Sequence, residues 1–266
     1  MMETSSPKIS ALILTYNEDP NIERTLESLH WVNEIVVVDS GSTDRTLEIL
    51  ARYSAVKVIH RHFDDHAAQC NFGILHCSNP WILSLDADYI LSKELITELQ
   101  LWKPEHGIQA WYTSFQYVVC GRTLHGTLYP PRAVLFRSGE CSYVRDGHAH
   151  RLIVSGPTRS FRYRILHDDR KPLERWTADQ MRYARREAAK LLYESVGSLR
   201  IQDRIRGWIV VAPLLTFFYT YFAKGLWRDG SAGLYYCFQR VFAELLLSLC
   251  LLECRLSGAS FARRRI

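Results

Sequence analysis

The chain has 266 residues, 47% apolar and 23% charged, which excludes a disordered segment and allows one large domain or a domain with an appendage. Its formal net charge of +5 is too modest to point to nucleic acid. Its seven cysteines are scattered and form no CxxC pair, which argues against a zinc or redox site and a disulfide framework; reduced thiols of a cytosolic compartment are expected. The polar stretch 1–8 lacks the apolar core of a signal peptide.

Ile9-Ser10-Ala11-Leu12-Ile13-Leu14 reads as a buried strand and runs into the polar turn Thr15-Tyr16-Asn17-Glu18. Pro20 suits a helix start, and Ile22, Leu26 and Leu29 follow at helical spacing. Glu34-Ile35-Val36-Val37-Val38 is a second, β-branched strand closing in Asp39-Ser40-Gly41-Ser42-Thr43-Asp44. Gly41 gives that turn its backbone freedom, and Ser42 or Thr43 is expected to cap the helix carrying Leu47 and Leu50. Val56-Lys57-Val58-Ile59 is a third strand, and 67–77 a third helix. The apolar run from Trp81 then ends in Asp86-Ala87-Asp88.

Strands alternating with helices predict an α/β fold with a mainly parallel central sheet flanked by helices. Polar clusters at Thr15–Asn17–Glu18, Asp39–Gly41–Ser42–Asp44 and Asp86–Asp88 then share one sheet edge, where open α/β sheets bind ligands. Turn formation alone explains about half of such residues, but three clusters at successive strand ends weaken that reading. If the chain stays extended, Asp86 and Asp88 point to one face and present hard oxygen ligands to Mg²⁺ or Mn²⁺. Neither GxGxxG nor GxxxxGK[ST] occurs.

Thr15-Tyr16-Asn17-Glu18, Val37-Val38-Asp39-Ser40-Gly41-Ser42-Thr43-Asp44-Arg45-Thr46, Gln69-Cys70-Asn71-Phe72-Gly73 and Ser84-Leu85-Asp86-Ala87-Asp88 together resemble the nucleotide-binding half of inverting family 2 glycosyltransferases with the GT-A fold. More narrowly, the chain is similar to the branch of lipopolysaccharide-core β-1,4-glucosyltransferases. The resemblance implies that Thr15, Asn17 and Glu18 line the nucleotide pocket. It implies that Asp39, on the turn with Gly41 and Ser42, meets the base, and that Asn71 sits near ribose or diphosphate. Asp86 would touch ribose or metal, Asp88 would be the main ligand of Mg²⁺ or Mn²⁺, and His167 would complete the metal shell or meet the diphosphate. The family usually has Asp or Glu directly after Asp-Ala-Asp; Tyr89 stands there in this chain.

The aromatic stretch 110–119 and, after Tyr129-Pro130-Pro131-Arg132, the run 134–137 are expected to form a second, antiparallel piece of sheet beneath the acceptor. Inverting transfer needs a base for the acceptor hydroxyl, and Asp146-Gly147-His148-Ala149-His150-Arg151 offers Asp146, the favoured candidate, with His150 as its rival. A solvated loop explains either residue taken singly about as well. Arg132, Arg151 and Arg170 are candidate phosphate contacts, because a guanidinium offers two donors at once.

A basic amphipathic helix is expected over 172–195, with Trp176, Ala184, Ala188 and Leu191 on one face. Two apolar segments follow, 208–223 and 234–254. The first is 16 residues long, short of the roughly 20 a span needs. The second carries Gln239, Arg240 and Glu244 at its centre. The expected form is a helical hairpin that dips into the inner leaflet, or one that forms a homodimer contact; an ordinary buried hairpin is the bland alternative.

The chain therefore reads as a GT-A domain over 8–170 and a C-terminal helical region over 171–266, membrane-associated or dimerising. The expected activity is metal-dependent, inverting transfer of a hexose from a nucleotide-diphosphate sugar, UDP-linked by preference, to a hydroxyl of a lipid-linked or cell-envelope glycan. It is placed in the cytoplasm, peripheral or monotopic at the inner membrane. A polyprenyl-phosphate glycosyltransferase and a non-catalytic sugar-nucleotide-binding scaffold are the alternatives.

Overall fold

The computed structural model describes residues 7–146, 149–193 and 201–257. Its chain divides into two compact units, one of residues 1–121 and 129–170, the other of 122–128 and 171–266.

The first unit begins with β1 (Ile9–Thr15), α1 (Ile22–Glu27), β2 (Glu34–Asp39), α2 (Thr46–Leu50), β3 (Val56–His60), α3 (His66–Ile74) and β4 (Trp81–Asp86). After β5 (Tyr89–Leu91) and α4 (Lys93–Leu101) come β6 (Ala110–Thr113) and β7 (Phe115–Val119). The two-residue strand β8 (Arg122–Thr123) belongs to the second unit. The first unit then resumes with β9 (Arg132–Arg137), β10 (Cys141–Asp146), β11 (Ala149–Val154), β12 (Thr158–Ser160) and β13 (Ile165–His167).

Seven strands form the main sheet in the order β12-β6-β9-β4-β1-β2-β3. The four consecutive strands β4, β1, β2 and β3 are parallel, and β9 runs antiparallel against β4 and β6. This is the mainly parallel α/β plan expected of a GT-A domain. Alternation along the strands sorts two cores. Ile9, Ala11 and Ile13 join Ile35, Val37, Leu83 and Leu85 on the face covered by α1, α2 and α4. Leu12, Val36, Val38, Ile82 and Phe136 lie on the other face, under α3. Each fully buried Val, Leu or Ile contributes about 1.5–3 kcal/mol. The α3 contact is close: a Cβ on Gly73 would lie 2.3 Å from Leu12 Cδ1, so glycine sets this helix-to-sheet distance.

Because β1 has β4 on one side and β2 on the other, the chain order reverses around it. The crevice at the carboxyl ends of β1 and β4 is the topological switch point where α/β sheets bind ligands. Register places Thr15 beside Asp39, Leu14 beside Asp86 and Asp39 beside His60, so the polar strand ends do share one edge.

The second unit contains α5 (Leu173–Tyr193), α6 (Ile201–Arg206), α7 (Val211–Phe218), a π-helical turn (Tyr219–Ala223), a 3₁₀ turn (Leu226–Asp229) and α8 (Gly230–Ser257). Ala184 and Ala188 of α5 are buried with Ile209, Leu247, Cys250 and Leu251. Glu244, which interrupts the apolar pattern of α8, meets Arg206 at 3.0 Å; Arg206 also meets buried Glu187 at 3.0 Å, and Lys190 meets Asp203 at 3.2 Å. These charges face one another inside the unit, which is how an apolar helix carries them. Among the described residues, no helix is long and apolar enough to cross a membrane.

Candidate active site

The β1 and β2 ends form one pre-assembled half of the site. Asp39 is fully buried. Its carboxylate accepts from Gly41 N at 2.9 Å, Ser42 N at 3.0 Å, Ser42 Oγ at 2.5 Å and Thr15 Oγ1 at 3.1 Å. Burial by itself raises its pKa; the Ser42, Gly41 and Thr15 donors outweigh burial and hold the carboxyl below its ordinary value. Gly41 adopts φ +90°, the left-handed geometry that lets its N–H turn back to Asp39. Asn17, itself at φ 56°, accepts from Thr43 N at 2.7 Å, while its own N–H donates to Ser42 Oγ at 2.8 Å. Glu18 N donates to Thr46 Oγ1 at 2.6 Å, and the Glu18 carboxylate accepts from Asn21 at 3.0 Å. Ser42 and Thr43 therefore do not cap α2, as its sequence suggested. They tie the β1 turn to the β2 turn, and Asp44 Oδ1 accepts from Thr46 N at 2.9 Å instead.

The β4 end is built differently. The strand stops at Asp86, the chain turns through Ala87 and Asp88, and β5 starts at Tyr89. The turn is held by Thr25 Oγ1 donating to Ala87 O at 2.6 Å. The extended geometry that would place both carboxylates on one face is thus not adopted. Asp86 Oδ2 lies 3.8 Å from Arg132 Nη1, whereas Asp88 Oδ2 lies 3.1 Å from His167 Nε2. The second contact follows from register: β13 pairs antiparallel with β5 and parallel with β7, setting His167 opposite Tyr89 and Tyr117, one residue from Asp88.

An aromatic cage supports these charges. Tyr117, Tyr89 and Tyr129 rings stand 4.3, 5.1 and 5.2 Å from the His167 ring, and the Tyr89 and Tyr129 hydroxyls are 2.5 Å apart. The Arg132 guanidinium lies 4.6 Å from the Tyr129 ring centroid. Burial opposes its charge, but Tyr129, Tyr89 and Asp86 outweigh burial and raise its pKa further. Tyr89, the departure from the family pattern, is therefore a buried wall of the site, and its phenol is pushed well above the usual range by burial and by Asp86.

His150, on β11, comes to the same place. Its ring is 5.1 Å from Tyr143 and 5.4 Å from His66. Burial pushes its pKa down to about 4, with Asp86 opposing and Arg132 and His66 adding to the fall. Arg151, the next residue, is exposed on the opposite face of the strand. The backbone of Asp146 closes β10, but its side chain lies outside the described part, as do Gly147 and His148. Asn71 is bound to backbone: its Nδ2 donates to Tyr143 O at 2.9 Å and its Oδ1 accepts from Tyr143 N at 2.8 Å, latching α3 to β10. Arg170 meets Asp168 at 3.0 Å beside Arg24, in a network that anchors the exit of β13 to α1.

Mg²⁺ or Mn²⁺ is the ion implied for Asp86, Asp88 and His167. Among the described residues, no three or more His, Cys, Asp or Glu side chains are gathered around a common metal position. The donor chemistry nevertheless fits. Carboxylate oxygens and an imidazole suit such an ion, Asp88 and His167 already face each other, and Mg²⁺ commonly takes much of its shell from water and substrate phosphates. Sequence reasoning missed His66, Tyr143 and Tyr129 as site residues; only Tyr129, within Tyr129-Pro130-Pro131-Arg132, carried a local signal.

The family profile described as Glycosyl transferase family 2 matches residues 10–147, just over half of the chain. The chain belongs to this family. A lipopolysaccharide core biosynthesis glycosyltransferase of Rhizobium meliloti (strain 1021) is 29% identical over 85% of this chain and 84% of its own length. An uncharacterized glycosyltransferase of Rickettsia bellii (strain RML369-C) is 43% identical over 38% of this chain, a match spanning only 34% of that protein. Among solved structures, S. aureus TarS 1-349 in complex with UDP aligns over 97% of this chain and 94% of its own, with 15% identity and a TM-score of 0.48. The matched residues 10–147 include the β1, β2 and β4 ends just described.

Proposed function

We propose that this family 2 glycosyltransferase is a metal-dependent inverting enzyme. It moves a hexose from a nucleotide-diphosphate sugar, with UDP as the expected nucleotide, to a hydroxyl of a lipid-linked or cell-envelope glycan of the lipopolysaccharide-core kind. The observation that carries this reading is the Arg132–Asp86 pair at the switch-point crevice, with the Asp88–His167 pair on the neighbouring turn and strand. The likeness to the Rhizobium protein supports the acceptor class.

In this reading the base and ribose lie against the Thr15–Asn17–Glu18 and Asp39–Ser42 turns. Arg132 exchanges Asp86 for the donor diphosphate, where its planar fork matches phosphate oxygens. Asp86, Asp88 and His167 would hold a divalent ion, which when bound neutralises charge on the departing diphosphate. His150, uncharged at neutral pH, has a nitrogen able to accept the acceptor's proton, with Asp146 as the other candidate base.

Calorimetric titration with UDP, GDP, CMP and dTDP, with and without Mn²⁺, tests this. One nucleotide binds in a metal-dependent way, and Asp88→Ala weakens it at least about tenfold while the circular dichroism spectrum is unchanged. Metal-independent binding to both proteins sinks the metal reading, and binding to none sinks the donor reading.

One observation favours a second reading. A histidine pushed down to about 4 is a weak base, and a polyprenyl phosphate acceptor, already an anion, needs none. If His150→Ala lowers transfer to a hydroxyl acceptor by about 10²–10⁴-fold, His150 acts as the base. An unchanged rate together with turnover of a polyprenyl phosphate selects the second reading.

A further inference from the structure

The second unit carries an apolar surface for which the catalytic reading has no use. Residues 207–223 contain no Asp, Glu, Lys or Arg, yet Leu214, Phe218 and Phe222 remain 59%, 57% and 56% exposed. Their spacing of four puts them on one side of α7 and its π-helical continuation. α8 runs antiparallel to α7: Ser248 Oγ donates to Ile209 O at 2.7 Å, and the Phe217 and Phe238 rings stack at 6.3 Å. It exposes Phe238, Leu245 and Leu249 as a second stripe, while Tyr236, Leu247 and Leu251 are buried.

Charge identifies what covers this surface. Residues 171–266 hold sixteen Lys and Arg against eight Asp and Glu, a net +8, which leaves −3 for residues 1–170 of a +5 chain. Just past the apolar face, the Lys224 ammonium lies 5.5 Å from the Tyr219 ring and the Arg228 guanidinium 5.2 Å from the Trp227 ring. Tyr219 and Trp227 are half exposed. An aromatic ring paired with a long cation suits the headgroup level of a bilayer, the ring sitting at the boundary and the charge reaching phosphate. Two copies meeting through this same unit would instead bring like charges together.

We infer that the face formed by α7, the π-helical turn and the outer side of α8 lies in the surface of an anionic lipid bilayer, with Lys224 and Arg228 on headgroup phosphates. The apolar residues enter the acyl boundary, and none of the helices among the described residues crosses. This inference does not depend on the donor or the acceptor.

The test is co-sedimentation of the purified full chain with vesicles of phosphatidylcholine plus phosphatidylglycerol, and of phosphatidylcholine alone, with the free protein's mass measured by light scattering. The wild type pellets with the anionic vesicles, less so at high salt, and is monomeric when free. Leu214→Asp combined with Phe218→Asp lowers partitioning about tenfold or more, with the thermal transition retained because both side chains are exposed. Lys224→Glu combined with Arg228→Glu removes the preference for anionic vesicles. Absence of vesicle binding by the wild type overturns the inference. So does a free dimer that the Leu214/Phe218 substitutions dissociate while vesicle binding is unchanged.

Discussion

The two sides of the crevice hold their charges in opposite ways. At the β1 and β2 ends, the Asp39 carboxylate is occupied by four donors from its own turn and from Thr15, and Asn17 spans to the neighbouring loop. At the β4 and β13 ends, Arg132 and Asp86 face each other at 3.8 Å and His167 and Asp88 at 3.1 Å, inside an aromatic cage. The first arrangement fixes shape. The second holds groups that can exchange partners when a phosphate or an ion arrives, because the Arg132 guanidinium can form two charge-assisted hydrogen bonds to a phosphate in place of its 3.8 Å pairing with Asp86.

The largest stability effect is expected on the fixed side. Asp39→Ala leaves buried donors without an acceptor and lowers unfolding free energy by about 3 kcal/mol in urea titration. Its pH dependence has a defined sign. The folded-state pKa of Asp39 lies below its unfolded value, so its stabilisation is present above that unfolded value and is lost as pH falls through the folded pKa. The stability gap between wild type and Asp39→Ala therefore widens as pH rises from strong acid to about pH 4 and is constant above it. A constant gap across that range would mean the carboxylate charge plays no part.

The exchangeable side responds in the opposite sense. Arg132→Lys keeps a cation near Asp86 but loses the planar fork and much of the contact with Tyr129. The donor KM is expected to rise about 10–100-fold with stability within about 1 kcal/mol of wild type. A stability loss matching that of Asp39→Ala would show that Arg132 is structural and would erase the contrast.

Asn71 gives the smallest and sharpest test. It lies within the family match at residues 10–147, and both ends of its amide serve Tyr143. Asn71→Ala removes two hydrogen bonds at a half-buried position, for an expected loss of about 1–2 kcal/mol in thermal or urea unfolding. Nucleotide affinity measured by calorimetry is expected to change less than in Arg132→Lys. The reverse ranking would move Asn71 from latch to donor contact.

The sequence alone determined the alternation of elements, because a buried parallel strand must be apolar on both faces and a covering helix on only one. It also placed Thr15, Asp39 and Asp86 on one edge, since strands of a parallel sheet end together. What it left open was direction. Asp86-Ala87-Asp88 is not extended because a turn follows β4, held by Thr25 on α1 and by the pairing of β5 with β13. His150 packs against Tyr143 and His66 through a hairpin latched by Asn71, 79 positions earlier in the chain. Glu244 sits inside an apolar helix because Arg206 lies opposite. Each of these depends on a partner distant in sequence, whereas periodicity and local motifs report only what a residue does with its near neighbours.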